Sequence, residues 1–401
     1  MKWEMVKYMG TRFDFDEPIQ RKNTGSRKWD SLVSVFGKED VLPLWIADMD
    51  FAAPPEVVAA LQERVKHPVY GYNIQEDRVF DAIIAWNKRR HGIEIEKDWL
   101  VLTPGVVPAF TFGIYALTQP GDGVIIQPPV YPPFFAAIRD NERTVVENSL
   151  IERNGYYEID FVDLEAKLAE PQNKVLLFCS PHNPVGRVWK KEELQRIQNL
   201  CRQYEVDVLC DEIHNDLIYS GHEHTVLAYL QEEVWKQTIT FMAASKTFNI
   251  AGLNFSYAII PCSRRRKNFV SWLSRMHLNR NNLFGVLATQ AAYENGEEWL
   301  EELLRYVEEN ANVLSRFVQE RLPQVQTVKP EGTYLAWLDF RKVFSSGDEL
   351  RNFLINQAQI GLNDGSSFGL QGEGFARINL ATQRSLLLEA LQRIEKSLSH
   401  K

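Results

Sequence analysis

Thr238-Ile239-Thr240-Phe241-Met242-Ala243-Ala244-Ser245-Lys246-Thr247-Phe248-Asn249-Ile250-Ala251-Gly252 passes from an apolar run of strand type into a turn of small residues, with Ser245-Lys246 where the hydrophobicity breaks. Most lysines are solvated, and taken alone Lys246 would be one of them. A lysine between a buried-looking strand and a small-residue turn is also placed to anchor a ligand covalently, so its neighbours decide between the two readings. The unit it belongs to recurs. Short apolar runs at 99–102, 123–127, 174–180, 206–210, 238–242 and 256–260 read as strands, and helical patterns at 106–118, 132–140, 190–204 and 264–278 alternate with them. That alternation predicts an α/β fold, a mainly parallel sheet covered by helices on both faces.

Upstream, residues 1–50 mix polar and aromatic character and close on Val41-Leu42-Pro43-Leu44-Trp45-Ile46-Ala47-Asp48-Met49-Asp50-Phe51. Asp48 and Asp50 are read as caps for the helix that Pro54-Pro55-Glu56 opens. Helices are expected over 56–66 and 76–91, with the turn Tyr70-Gly71-Tyr72 between them. Downstream, one long helical pattern runs from 284 to 322 and stops at Pro323; strand, helix, strand and helix follow at 333–339, 347–358, 375–381 and 383–398. The expected organisation is a large domain over 51–284 and a smaller α+β domain built from 1–50 and 285–401.

A chain of 401 residues, 45% hydrophobic and 24% charged, fits a globular protein of two domains. Its net charge of −8 argues against a nucleic-acid partner or an anionic membrane surface. Cys179, Cys201, Cys210 and Cys262 lie far apart without a CxxC pair, which suits buried thiols in a reducing compartment. Met1-Lys2-Trp3-Glu4-Met5 opens no apolar signal core, and no apolar run approaches a membrane span, so a cytoplasmic protein is expected.

Open parallel sheets gather their sites at the carboxyl ends of strands. The first strand is followed by Thr103-Pro104-Gly105-Val106-Val107, a glycine turn opening a helix whose first N–H groups can hold a phosphate. After the second, Tyr131 sits in the proline-flanked loop Pro128-Pro129-Val130-Tyr131-Pro132-Pro133, a stiff mount for a ring that stacks on a flat ligand or packs under the loop. After the third comes Pro181-His182-Asn183-Pro184-Val185-Gly186, where Asn183 can donate to a ligand oxygen or simply start a turn. Next is Asp211-Glu212-Ile213-His214; a carboxylate ending a buried strand needs a cationic partner. Ser245-Lys246 completes the series. Each feature is weak alone. Together they meet the demands of pyridoxal 5'-phosphate: a lysine for its aldehyde, an acid for its ring nitrogen, a donor for its phenolic oxygen, an aromatic for its face and a dipole nest for its phosphate.

With Tyr70-Gly71-Tyr72, Ala376-Arg377-Ile378-Asn379 and the segments above, nearly the whole chain resembles the fold-type I pyridoxal phosphate enzymes, the aspartate aminotransferase superfamily. The strings Leu44-Trp45-Ile46-Ala47-Asp48-Met49-Asp50-Phe51, Asp211-Glu212-Ile213-His214-Asn215-Asp216 and Ser245-Lys246-Thr247-Phe248-Asn249-Ile250-Ala251-Gly252-Leu253-Asn254 are similar to its cystathionine β-lyase branch of MalY–PatB type. The resemblance implies a homodimer with active sites at the subunit interface. In it Lys246 holds the cofactor and shuttles a proton, Asp211 meets the ring nitrogen, Asn183 the phenolic oxygen and Tyr131 the ring face. The N–H groups of Val106 and Val107, together with Ser245, hold the phosphate, and Tyr72 reaches that of the neighbouring subunit. Arg377 clasps the substrate carboxylate, helped by Asn183 and Tyr72, while His214 lines the pocket. His214 and Asn254 stand where aminotransferases of the superfamily commonly carry tyrosine and arginine.

The implied reaction is α,β-elimination from L-cystathionine or another cysteine S-conjugate, giving a thiol (homocysteine), pyruvate and ammonia, in methionine biosynthesis. A class I/II aminotransferase is the alternative, since both reactions begin with loss of the α proton. A regulator that keeps the fold without catalysis is disfavoured by the complete set Lys246, Asp211, Asn183 and Arg377. No GxGxxG follows an early strand, which disfavours dinucleotide binding. A metal role is also disfavoured, with His222 and His224 read as solvated loop residues.

Overall fold

The computed structural model describes residues 12–74 and 77–399. Glu76, where the second expected helix begins, lies outside them. Among the described residues seven strands form the large sheet: β1 Leu100–Thr103, β2 Gly123–Ile126, β3 Thr144–Glu147, β4 Asn173–Cys179, β5 Asp207–Asp211, β6 Thr238–Met242 and β7 Ser256–Ile259, in the order β1-β7-β6-β5-β4-β2-β3. The pairs from β6 to β3 are parallel; β7 runs antiparallel to both of its neighbours. The central strands are largely apolar and buried on both faces, β2 and β6 being buried at every position, because helices cover the sheet above and below.

The expected strands are present with shifted ends, and Asp211 is the last residue of β5 rather than the first residue beyond it. The sequence reading lacks β3 and the hairpin Ile151–Arg153 with Tyr156–Glu158. These are short, partly exposed strands at a sheet margin, without the fully apolar texture of the centre. The long helical pattern after 284 is two helices, Leu283–Asn295 and Glu297–Arg321, broken at Gly296. A Cβ at Gly296 would stand 2.6 Å from both the Ala292 carbonyl oxygen and a Phe248 ring carbon, so the break lets the two helices close around Phe248.

A second, antiparallel sheet follows: β8 Gln326–Val328, β9 Leu335–Asp339, β10 Asn363–Asp364 and β11 Phe375–Asn379, in the order β8-β9-β11-β10. Trp337 faces Arg377 in register and Leu335 faces Asn379. The N-terminal segment closes against this unit. Leu42–Pro43 pairs in parallel with Ile360–Gly361, and the Asn379 N–H donates to the Leu44 carbonyl at 2.9 Å. Residues 45–51 thereby become a strap laid between the small sheet and the carboxyl edge of the large one.

Candidate active site

Asp211 ends β5 in register with Cys179 on β4 and Phe241 on β6, which puts it mid-sheet at the carboxyl edge. It is buried, and its one side-chain hydrogen bond comes from the Ile213 N–H at 3.1 Å. Burial pushes its carboxyl up to about 7, with the Ile213 N–H and the Lys246 charge pulling the other way.

One strand over, Lys246 lies on the single turn Ala244–Thr247 that follows β6. The half-buried side chain brings Nζ to 2.6 Å from the Ala47 carbonyl of the strap, to which it donates. Burial lowers its pKa to about 8; Asp48 and Asp211 oppose that shift and Arg377 reinforces it.

Arg377, in the middle of β11, comes from the other sheet. Nη1 donates to Asn183 Oδ1 at 2.9 Å, and Nη2 to the Trp45 carbonyl at 3.0 Å and Asn363 Oδ1 at 2.7 Å. Its Nε is buried without a partner, and no carboxylate pairs with it among the described residues. Burial lowers its pKa to about 10. With the Asn183 oxygen accepting from Arg377, its amide N–H groups are left as donors.

The other expected residues lie on the following elements. Half-buried Tyr131 feels the charges of both Asp211 and Arg377, and burial raises its hydroxyl pKa. His214 is buried edge-on to Tyr334; burial, then the charges of Lys246 and Arg377, lower its pKa to about 3, so the ring is neutral. Its Nδ1 has no partner. Val106 and Val107 open the helix Val106–Leu117, so their N–H groups point out of its first turn. Gly105 precedes them at φ 147°, a conformation side-chain-bearing residues rarely adopt. Ser245 is half-buried on the lysine's own turn. Tyr72 stands apart: it is 92% exposed, with the Arg280 guanidinium carbon 4.5 Å from its ring.

Three assignments change. Asp48 and Asp50 cap no helix, for Pro54 holds that position; they bind Arg21 and Lys28, and Asp50 also receives the Trp29 N–H. His224 is buried rather than solvated, with Nε2 2.8 Å from Glu212 Oε2, while His222 is exposed. Asn254 turns back toward the Gly252 carbonyl at φ 48° and contributes no charge.

Three residues were not foreseen. Asn379 bonds the carbonyls of Ile46 at 2.7 Å and Asp48 at 2.6 Å, Asn249 bonds those of Met49 at 3.1 Å and Phe51 at 2.8 Å, and Tyr334 donates to Ala47 at 2.9 Å. The strap is held by its carbonyls. The available signal for Asn379 was its spacing from Arg377, since residues two apart on a strand share a face.

A half-buried lysine and a buried aspartate on adjacent strand ends, opposite an arginine with no counter-ion among the described residues, define a site for a charged ligand on a fold of the aminotransferase type. Residues 39–394 match the family described as aminotransferase class I and II. The chain belongs to that family and has its type I fold, a large mainly parallel sheet between helices with a smaller antiparallel unit. It is 42% identical over 386 residues to the cystathionine β-lyase PatB of Bacillus subtilis (strain 168), covering 96% of this chain and all of that protein. Among solved structures it matches cystalysin from Treponema denticola, described as containing a pyridoxal 5'-phosphate cofactor, with TM-score 0.93 and 41% identity over 97% of this chain and 99% of that one. The PLP-bound C–S lyase from Staphylococcus hominis matches with TM-score 0.90 and 34% identity over the same shares.

Proposed function

We propose that this protein is a pyridoxal 5'-phosphate-dependent carbon–sulfur β-lyase acting on L-cystathionine or related cysteine S-conjugates. The observation that carries the reading is Arg377, a buried guanidinium with no carboxylate partner among the described residues, set among the charges that act on Lys246. A buried charge of that kind, set beside Lys246 and Asp211, can take an anion from outside the chain, and guanidinium geometry suits an α-carboxylate. The residues also fit the cofactor: Asp211 keeps carboxylate capacity unspent, His214 Nδ1 and Arg377 Nε lack partners, and the Val106–Val107 turn offers free N–H donors.

Bound there, pyridoxal 5'-phosphate supplies an aldehyde for the substrate's amino group and a ring that accepts electron density from Cα. The protein's own residues do the rest. Asp211 would hold a proton at the ring nitrogen, Asn183 would donate to the ring oxygen, and Tyr131 would supply an aromatic face for the ring. Arg377 fixes the substrate carboxylate, which aims the α C–H bond. Lys246 Nζ removes the α proton, for which a pKa near 8 is well matched. The C–S electron pair then leaves with sulfur as a thiolate that takes up a proton, and hydrolysis of the remaining three-carbon unit gives pyruvate and ammonia, one water being consumed overall. Homocysteine released from cystathionine would serve methionine biosynthesis.

Two further statements belong to the proposal. The protein works as a homodimer in the cytoplasm, with Tyr72 of one subunit reaching the other's phosphate. The exposed apolar residues Val69, Tyr70, Tyr72 and Ile74 support such a contact, and the unpaired cysteines suit a reducing compartment. The chain divides into a cofactor-binding domain, 51–284, and a smaller one from 1–50 and 285–401. Contacts of helix Leu283–Asn295 with helices Pro55–Val65 and Asp77–His91 favour moving the second boundary to Gly296.

Membership of the aminotransferase family supports amino transfer as the second reading. Incubating the cofactor-loaded protein with L-cystathionine and no keto acid separates them. Equal amounts of thiol and pyruvate are expected; amino transfer that requires an added keto acid, without thiol, contradicts the lyase assignment.

A further inference from the structure

Behind the pocket lies a buried carboxylate that the reaction above does not use. Asp216 sits five residues beyond Asp211, on the segment leaving β5, with its side chain 1% exposed. Oδ2 accepts the Thr247 hydroxyl at 2.9 Å, Oδ1 lies 3.0 Å from His91 Nε2, and the Trp86 indole N–H reaches the two oxygens at 3.2 and 3.3 Å. Burial alone would protonate such a group. His91, Arg90 and Thr247 outweigh burial and hold the carboxyl below its usual range, so it is an anion.

Thr247 is the residue after Lys246 and is fully buried. Both lie on a helix of four residues whose N-cap, Ala243, provides no side-chain bond. A single helical turn has little stability of its own, so outside contacts set its orientation. Two of them are side-chain hydrogen bonds: the lysine amine meets the strap at Ala47, and the threonine hydroxyl meets Asp216.

We propose that Asp216 is a positioning residue for Lys246, acting through the Thr247 hydroxyl. The Asp216–Thr247 bond braces the segment that carries Asp211 against the turn that carries the lysine, and so fixes the distance between the acid at one end of the cofactor site and the base at the other. The brace acts through position. The charges that bear most on the Lys246 amine are those of Asp48, Arg377 and Asp211. Removing the hydroxyl should therefore misplace the amine without changing its chemistry. Displacement of a reacting group by about an ångström costs up to about a hundredfold in rate, and loss of one brace should cost less.

This inference rests on Lys246 removing the α proton in the lyase reading. The test compares parent, Thr247→Val, Thr247→Ser and Asp216→Asn holoenzymes on L-cystathionine and its α-deuterated form. Thr247→Val keeps the shape and removes the donor. It should lower kcat about tenfold, leave KM within about twofold, and enlarge the isotope effect on α-proton removal, with the visible absorbance of the bound cofactor unchanged. Thr247→Ser restores the hydroxyl and should recover kcat to within about threefold of the parent. Asp216→Asn, which weakens the acceptor, should resemble Thr247→Val. A Thr247→Val enzyme with parental kcat and isotope effect, a loss confined to KM, or a serine variant as slow as the valine one overturns the proposal. So does failure of both Thr247→Val and Asp216→Asn to fold, which would assign the pair to folding. A parent enzyme that releases no thiol refutes the lyase reading itself, before any variant is compared.

Discussion

Asp50 and Asp211 are both buried, at 2% and 3% exposure, and their surroundings could hardly differ more. Asp50 accepts Lys28 Nζ at 2.6 Å, Arg21 Nη1 at 2.7 Å and the Trp29 indole N–H at 2.9 Å. Burial pushes its carboxyl up, but these partners prevail and hold it below the ordinary range. Asp211 has one backbone N–H and rises to about 7. The same contrast separates Arg187, between Glu193 and Glu331, from Arg377, whose hydrogen bonds among the described residues go to amide and carbonyl oxygens. Buried charges matched by the chain itself belong to the architecture. The charges at the site are left partly unmatched, and a ligand there can supply what is missing.

The contrast breaks most visibly at two lysines, half-buried Lys246 and buried Lys28. Lys246→Ala should cost at least about 10²–10⁴-fold in thiol release from cystathionine, the range expected for loss of a positioned base, with stability little changed. Lys28→Met should do the reverse. It leaves Asp50 short of a partner in the core and should destabilise the fold by about 3–5 kcal/mol in urea titration, while any chain still folded retains its cofactor absorbance. If Lys246→Ala unfolded the protein and Lys28→Met silenced a stable one, the division between matched and unmatched charges would be wrong.

The carboxylates should give opposite pH slopes. Asp211 binds its proton more tightly folded than unfolded, so in the cofactor-free protein its contribution to stability is present below the ordinary carboxylate pKa and lost as pH rises through about 7. Cofactor-free Asp211→Asn should therefore match the parent at about pH 4 and exceed it by a few kcal/mol above pH 7. Asp50, held low, stabilises above the ordinary range and loses that contribution as pH falls, so Asp50→Asn should be the weaker protein at neutral pH. Denaturant titrations at several pH values decide this.

Arg377→Lys keeps a charge but loses the planar fork. It should lower kcat/KM by about 10–100-fold, chiefly through KM, with cofactor absorbance intact. The smallest effect concerns the amine. Only neutral Lys246 condenses with an aldehyde, so the rate at which cofactor-free protein takes up pyridoxal 5'-phosphate should rise with pH and level off above about 8.

The wall built from strand ends was legible because its parts are marked twice, by an apolar run and by the polar residue that ends it; Asp211 and Lys246 are both of this kind. The parallel sheet was legible for the same reason, apart from marginal strands such as Thr144–Glu147. The opposite wall was not. The strap meets Lys246, Tyr334, Asn379 and Arg377 through backbone carbonyls, which every residue possesses and no sequence string distinguishes. Asp48 and Asp50 were misread because a carboxylate before a helix start is usually local, whereas their partners lie 20–29 residues upstream. His224 was misread because its loop is polar, and its partner Glu212 is brought to it by the fold.

The measurement that bears most directly on the unmatched charges is a visible-absorbance titration of cofactor-free protein with pyridoxal 5'-phosphate, run on the parent, Lys246→Ala and Lys28→Met. The account predicts a saturating band in the parent and in folded Lys28→Met that is absent in Lys246→Ala. A parent that develops no band, or a Lys246→Ala protein that develops the same one, would contradict it.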